Sequence, residues 1–323
     1  MTEQIKIDFE KTIKSSDLAE NDVNLKKQYL SSFIANGFPG KKLENWKFLD
    51  INQIIQKDIG ELSYFNDYSV LNKVDVSVFV KDLEHNKIVF VNGKLEKIDF
   101  SNEEKDKIEI DESSKLESKI ENNNSLIDLN SAFTNKICKI IIKRNYALKK
   151  PLIVYHLTNN EIKSKNINSR LYFQLEENSS LKLIDFFNHY SEKNFINIVY
   201  DFDLKKNAIL KNYKIDKLQN KNIKYSFNNI NQDENSISET FLLSSGSSFL
   251  KNEINCNLNG QYSSAFVNGV FLLKDNQQHE IRTSINHLVE NTKSYQLIKS
   301  VLGKESKAAY QGKIFVNQKA QKT

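Results

Sequence analysis

From residue 137 onward, apolar and polar positions alternate in short runs with a period of two. "ICKIIIK", "PLIVYHL", "RLYFQLE", "FINIVYDFDL", "SAFVNGVFLL" and "HEIRTSINHLV" are examples, and successive starts fall mostly 10–15 residues apart. In the fourth run Ile196, Ile198, Tyr200, Phe202 and Leu204 share one phase, and Asn197, Asp201 and Asp203 take the other. Successive side chains of a strand point to opposite faces, so this pattern predicts half-buried strands. Glycine is scarce, at nine in the whole chain, and Asn-Gly turns are rare after residue 137, so the links read as polar corners and not as tight hairpins. A sandwich, a barrel and a solenoid all fit evenly spaced short strands; hairpin-poor links favour a β-solenoid, in which each coil stacks on the last. A weak repeat supports stacking: "SSLKLIDF", "NAILKNYKI" and "SSFLKNEIN" align Leu181, Leu210 and Leu250 as equivalent positions.

The first part of the chain has a different texture. In "DVNLKKQYLSSFIA" (22–35), Leu25, Tyr29, Leu30, Phe33 and Ile34 fall on one face of a helix, and Gly37 and Pro39 stop it. "DINQIIQKDI" (50–59) repeats helical spacing behind Asp50 as N-cap. In "KIVFVNGKLEKIDF" (87–100) two β-branched runs flank Asn92-Gly93, which predicts a hairpin. Residues 101–125 are polar and charged and read as a surface linker with one short helix. The expected division is a helical region over 1–60, a mixed connecting region over 61–136 and a β-core over 137–323.

Composition narrows function. The hydrophobic share of 39% and charged share of 27% are ordinary for a globular chain. The formal charge of +5 comes almost wholly from lysine; Arg144, Arg170 and Arg282 are the three arginines. Base and phosphate readout favours arginine forks, so no nucleic-acid partner is expected. No window approaches the 18 or more apolar residues of a membrane span, and no secretory signal is visible, so a cytoplasmic location away from membranes is expected. Two cysteines cannot build a disulfide framework.

No catalytic apparatus stands out. "GFPGKK" has the wrong spacing for a phosphate-cradling loop, and no local metal motif is written. Cys138 and Cys256 share strand phase with aliphatic neighbours and read as small buried hydrophobes. His279 and His287 would lie ~27 Å apart on one strand, too far to share an ion, and read as structural. His85, His156 and His189 have no companion acidic or thiol cluster. Asp185, Asp201, Asp203 and Glu239 are candidates for a glycosidase-type carboxylate pair, but acids on strands are expected to face water. No catalytic, cofactor-binding or metal residue is assigned, and the chain is expected not to be an enzyme by itself. A carbohydrate-active or carbohydrate-binding β-helix protein is the alternative.

The stretch "GFPGKKLENWKFLDI" (37–51) resembles the opening signature of the SufB/SufD family of iron–sulfur cluster assembly proteins. "IVFVNGK" (88–94), "LNSAF" (129–133) and the run 276–323 are similar to the family's later landmarks, in order. Ser294-x-Gln296-Leu297-x-Lys299, Gly312-Lys313-Ile314-x-Val316 and the Ala-Gln-Lys-Thr at 320–323 favour the SufD branch. The resemblance implies a right-handed parallel β-helix behind a helical N-terminal region. It also implies a scaffold that works with SufB-like and SufC-like subunits, or as a homodimer, with the iron–sulfur cluster in the assembled complex. Relatives continue past this point with a Cys-Ser-His-Gly-Ala-Thr motif that is absent here, so the sequence is expected to be truncated and no site residue is carried over. Trp46, Phe48 and Pro39 are expected to form a hinge docking the helical region onto the β-core.

Overall fold

The computed structural model describes residues 2–65, 80–113, 124–134, 136–159, 162–189, 191–216, 220–321 and 323. Three helices come first: α1 (Thr2–Lys14), α2 (Glu20–Asn36) and α3 (Ile51–Asp58). Strands β1 (Asn86–Val91), β2 (Lys94–Asp99) and β3 (Ile108–Ser113) follow, then α4 (Ser125–Phe133). Thirteen strands complete the fold: β4 (Ile137–Ile142), β5 (Leu152–Thr158), β6 (Asn166–Leu175), β7 (Ser180–His189), β8 (Phe195–Leu204), β9 (Ile209–Asp216), β10 (Asn220–Gln232), β11 (Ile237–Ser244), β12 (Ser247–Leu258), β13 (Ser264–Leu273), β14 (Gln278–His287), β15 (Lys293–Leu302) and β16 (Lys307–Val316).

From β4 the chain alternates between two sheets. One has the order β15-β13-β11-β9-β7-β5-β1-β2, the other β16-β14-β12-β10-β8-β6-β4-β3. All pairings from β5 onward are parallel, so each odd strand and the even strand after it make one coil of a β-solenoid of about six turns. The inward ladders form one continuous core that includes Ile196, Ile198, Tyr200, Phe202 and Leu204, the phase expected from alternation. At the opposite end each sheet is closed by an antiparallel strand, β2 or β3, carrying Lys94, Glu96, Lys97, Glu109, Asp111 and Glu112. Charged edge strands resist edge-to-edge pairing.

The corners explain how few glycines suffice. Asn145, Asn178, Asn207, Asn235, Tyr262 and Asn291 each sit at positive φ, between 57° and 62°, where the chain leaves an even strand for the next odd one. Asparagine tolerates that region better than most residues because its short amide bonds locally. The amides also stack: Asn178 Nδ2 donates to Asn145 Oδ1 at 2.8 Å and Asn207 Nδ2 to Asn178 Oδ1 at 2.7 Å.

Two sequence expectations need correction. Leu181 and Leu210 are stacked neighbours in adjacent coils, but Leu250 lies in the other sheet, beside Lys224 and His279. The polar run after residue 100 is not only linker: Ile108–Ser113 is a strand paired with β4, and Ile108 is buried against the core. Residues 114–123 of that run lie outside the described residues. The Asn92-Gly93 hairpin forms, with φ of 51° and 87°, and Asp50 caps α3 by accepting from the Gln53 amide.

The helices cover the outer face of the even-strand sheet. Ile5, Phe9, Leu30, Phe33, Trp46 and Ile55 pack with α4 and with Phe195, Val199, Tyr225, Phe227 and Phe249 of the sheet. Asn130 of α4 donates to the Ser169 and Asn197 carbonyls, and Asn197 donates back to the Leu126 carbonyl. Among the described residues, the outer face of the odd-strand sheet carries an apolar cluster over its first strands, of Val89, Val91, Ile153, Tyr155 and Phe186.

Candidate functional site

Three features could carry function: a charged network inside the solenoid, a charged cluster beneath the helices, and an apolar last coil. The first is centred on Asp185 of β7, fully buried and pointing inward. Lys214 Nζ, one coil on, donates to its Oδ2 at 2.5 Å, and Tyr200 O–H donates to Oδ1 at 2.9 Å. His156 Nε2 lies 2.8 Å from the same phenol oxygen, so with the Tyr200 proton on Asp185 the imidazole donates through Nε2. The ring is stacked between Phe90 and Phe187. Burial alone would raise the Asp185 carboxyl; Lys214 and the His156 hydrogen bond together outweigh it and hold the group down at about 2. Burial lowers His156, which favours the neutral ring.

The second feature lies on the outer face of β12 and β14. Lys251 is fully buried; its Nζ donates to Glu280 Oε1 and to the Asn45 carbonyl, and sits 4.3 Å from the centre of the Trp46 ring. Glu253 lies 3.7 Å from Lys251 and 3.4 Å from Arg282. Burial raises both glutamates, against the pull of Lys251 and Arg282. Trp46 also packs on Tyr225, with ring centres 5.8 Å apart. The hinge therefore docks through Trp46 and through Phe38, whose ring meets Phe33 and Phe195. Pro39 is buried beside them in sequence, but Phe48, expected to share the docking, is 48% exposed.

The candidate carboxylates do not converge. Asp185 faces the interior, whereas Asp201 lies on the outer face of β8 under α4, bound to Arg170 through Nε and Nη2 at 3.1 and 2.9 Å. Both are buried, contrary to the expectation that acids on strands face water. Asp185 shares strand phase with Leu181 and Leu183, a signal the sequence reading did not use; the burial of Asp201 depends on α4, about 70 residues earlier. Asp203 pairs with Lys205, and Glu239 with Lys211.

Cys138 and Cys256 are buried in the core, and burial pushes both thiols up to about 12. His279 bonds Ser244 and the Ser247 carbonyl, and burial pushes it down to about 4. His287 bonds Thr292 and Ser294, and His85 bonds Tyr155 and the Leu83 carbonyl. The side chain of His189 lies outside the described residues. Among the described residues, no three His, Cys, Asp or Glu side chains are placed to hold a metal ion. A groove of about 650 Å³ runs between α3 and three corner turns, where Lys57, Lys193 and Lys221 are matched by Asp58, Glu192 and Asp275.

The third feature is the coil of β15 and β16, the terminal strands of the two sheets. Tyr295, Leu297, Val301, Ile314, Phe315 and Val316 are between 42% and 61% exposed there.

The family model described as "SUF system FeS cluster assembly, SufBD core domain" matches residues 156–323, just over half of the chain and nearly all of the solenoid. The chain belongs to the SufB/SufD family. Within it the chain is SufD-like: it is 23% identical over 305 residues to "Iron-sulfur cluster assembly protein SufD" of Escherichia coli (strain K12), covering 92% of this chain and 70% of that relative. This SufD-like chain is thus a component of iron–sulfur cluster assembly. None of its described helices is long and apolar enough to cross a membrane.

Proposed function

We propose that this chain is a non-catalytic scaffold subunit, acting in the cytoplasm with SufB-like and SufC-like subunits. Iron, sulfur and the finished cluster are cargo of the assembled complex, not a resident cofactor of this chain. The observation that carries the reading is the match of residues 156–323, nearly all of the solenoid, to the SufBD core domain. The buried thiols support the non-catalytic part: at about 12 they stay protonated near neutrality, and a thiol must ionise to attack or to ligate. Carbohydrate chemistry is disfavoured, because Asp185 and Asp201 sit on opposite sides of the sheet wall and share no cleft.

Co-expression with SufB-like and SufC-like subunits from the same source, followed by native mass spectrometry, tests the proposal. A heteromeric complex is expected. A homodimer as the sole species would replace the heteromer with a second copy of this chain. A monomer throughout would overturn the scaffold reading.

A further inference from the structure

The middle of the solenoid interior is polar where a stacked β-core is ordinarily apolar. Along the inward ladders, Leu183 is followed by Asn212 and Thr240, Ile198 by Ser226 and Asn252, and Tyr200 by Asn228. Parallel register carries each inward position from coil to coil. Two lysines of the β9–β10 coil lean back towards the coil before it. Lys214 reaches back to Asp185 and lies 3.5 Å from the Tyr200 ring centre, and Lys224 lies over the Phe187 ring. Both contacts belong to the β7–β8 coil.

Among apolar Leu210, Ile230, Leu242 and Ile254, these coils also hold unpaired polar atoms. Asn212 Nδ2 and Oδ1, Asn228 Oδ1 and Thr240 Oγ1 are buried, and none has a hydrogen-bond partner among the described residues. Asn212 and Thr240 are register neighbours, and Asn228 neighbours Tyr200. A buried amide or hydroxyl left unbonded costs about 1–3 kcal/mol, and four such atoms in two adjacent coils call for a shared solution. The set mixes donors and acceptors and carries no formal charge, which suits a neutral guest able to donate and accept at once.

We propose that the β9–β12 layers form an internal hydrated chamber, in which ordered water molecules bind Asn212, Asn228 and Thr240 and extend the His156–Tyr200–Asp185–Lys214 network along the solenoid axis. Water meets the requirement that each buried guest find two to four polar partners. The proposal stands apart from the assembly reading and uses none of the exposed coil.

Oxygen-17 relaxation dispersion on the full chain counts long-lived internal waters, and a crystal structure under xenon pressure reports whether the layer is dry. Wild type should hold long-lived waters, with density within hydrogen-bond reach of Asn212 and Thr240, and Asn212→Leu with Thr240→Val should lose at least two of them. Should the double variant fail to fold, Thr240→Val alone should lose at least one. An unchanged count in a folded variant, or xenon in the layer of wild type, would overturn the proposal.

Discussion

Two charged clusters are buried in this molecule, and they are built to opposite designs. Inside the solenoid, one carboxylate, Asp185, receives Lys214, Tyr200 and, through the phenol, His156; both of its oxygens are bonded. Beneath the helices, two carboxylates, Glu253 and Glu280, compete for Lys251, and one oxygen of each has no hydrogen-bond partner. The same residue types therefore give opposite titration: Asp185 is held below the ordinary range, the two glutamates above it. Asp185 has more donors per carboxylate than the Glu253–Glu280 pair, which favours its ionised form more strongly. The interior cluster is closed off by its own coils; the outer one is completed only when Trp46 and the Asn45 carbonyl arrive with the helical region.

The largest effects should come from breaking each cluster at its lysine. Lys214→Met and Lys251→Met should each cost about 3–5 kcal/mol, because removal strands a buried carboxylate. Denaturant titration gives the loss, and limited proteolysis separates the sites: Lys251→Met should free α1–α3 to cleavage while the solenoid stays protected. Equal protection of the helices in both variants would break the comparison. Trp46→Ala should follow at about 3 kcal/mol, since a buried indole is deleted but Tyr225 and Lys251 can close in. It should produce the same selective cleavage; a melting curve identical to wild type would remove Trp46 from the docking.

A pH series sharpens the contrast in sign. The Asp185 contribution is fully present above about 3.8 and is lost as pH falls towards about 2, roughly 2 kcal/mol in all. Glu253 and Glu280 work the other way: unfolded, they release protons near 4.5, and folded, they hold them to higher pH, so stability falls as pH rises through that window. Comparing wild type with Glu253→Gln and with Asp185→Asn should flatten one slope and leave the other. A single common slope in all three proteins would contradict opposite titration.

Much of this was legible in strand phase. The alternation at 196–204 gave the buried ladder, Asn92-Gly93 gave the hairpin, and Asp50 gave the start of α3. Phase would also have placed Asp185 and Lys214 inward, in step with Leu183 and Leu210, but acids on strands were expected to face water. The misplacement of Leu250 has a physical cause. Strands of both sheets carry the same local alternation, so a short motif cannot tell which wall of the coil it occupies. That Trp46 docks the helical region onto the core was expected, but its partners, the burial of Asp201 and the Lys251 cluster were not legible, because they join residues 70 to more than 200 positions apart.

The corner asparagines would have fixed the coil length. Asn178, Asn207 and Asn235 recur at intervals of 29 and 28 residues, in "EENSS", "KKNAI" and "DENSI". Asn207 combines two roles: it holds φ at 60°, and its amide donates to Asn178. The roles separate by substitution. Asn207→Ala loses both and should cost about 1–2 kcal/mol, from left-handed strain and a lost exposed hydrogen bond. Asn207→Gly avoids the strain but still loses the ladder contact, and should cost less than half as much. If glycine were as damaging as alanine, the amide ladder and not the backbone conformation would be what the corner needs. Either outcome concerns an exposed corner, so both effects should remain smaller than any change made to the two buried clusters.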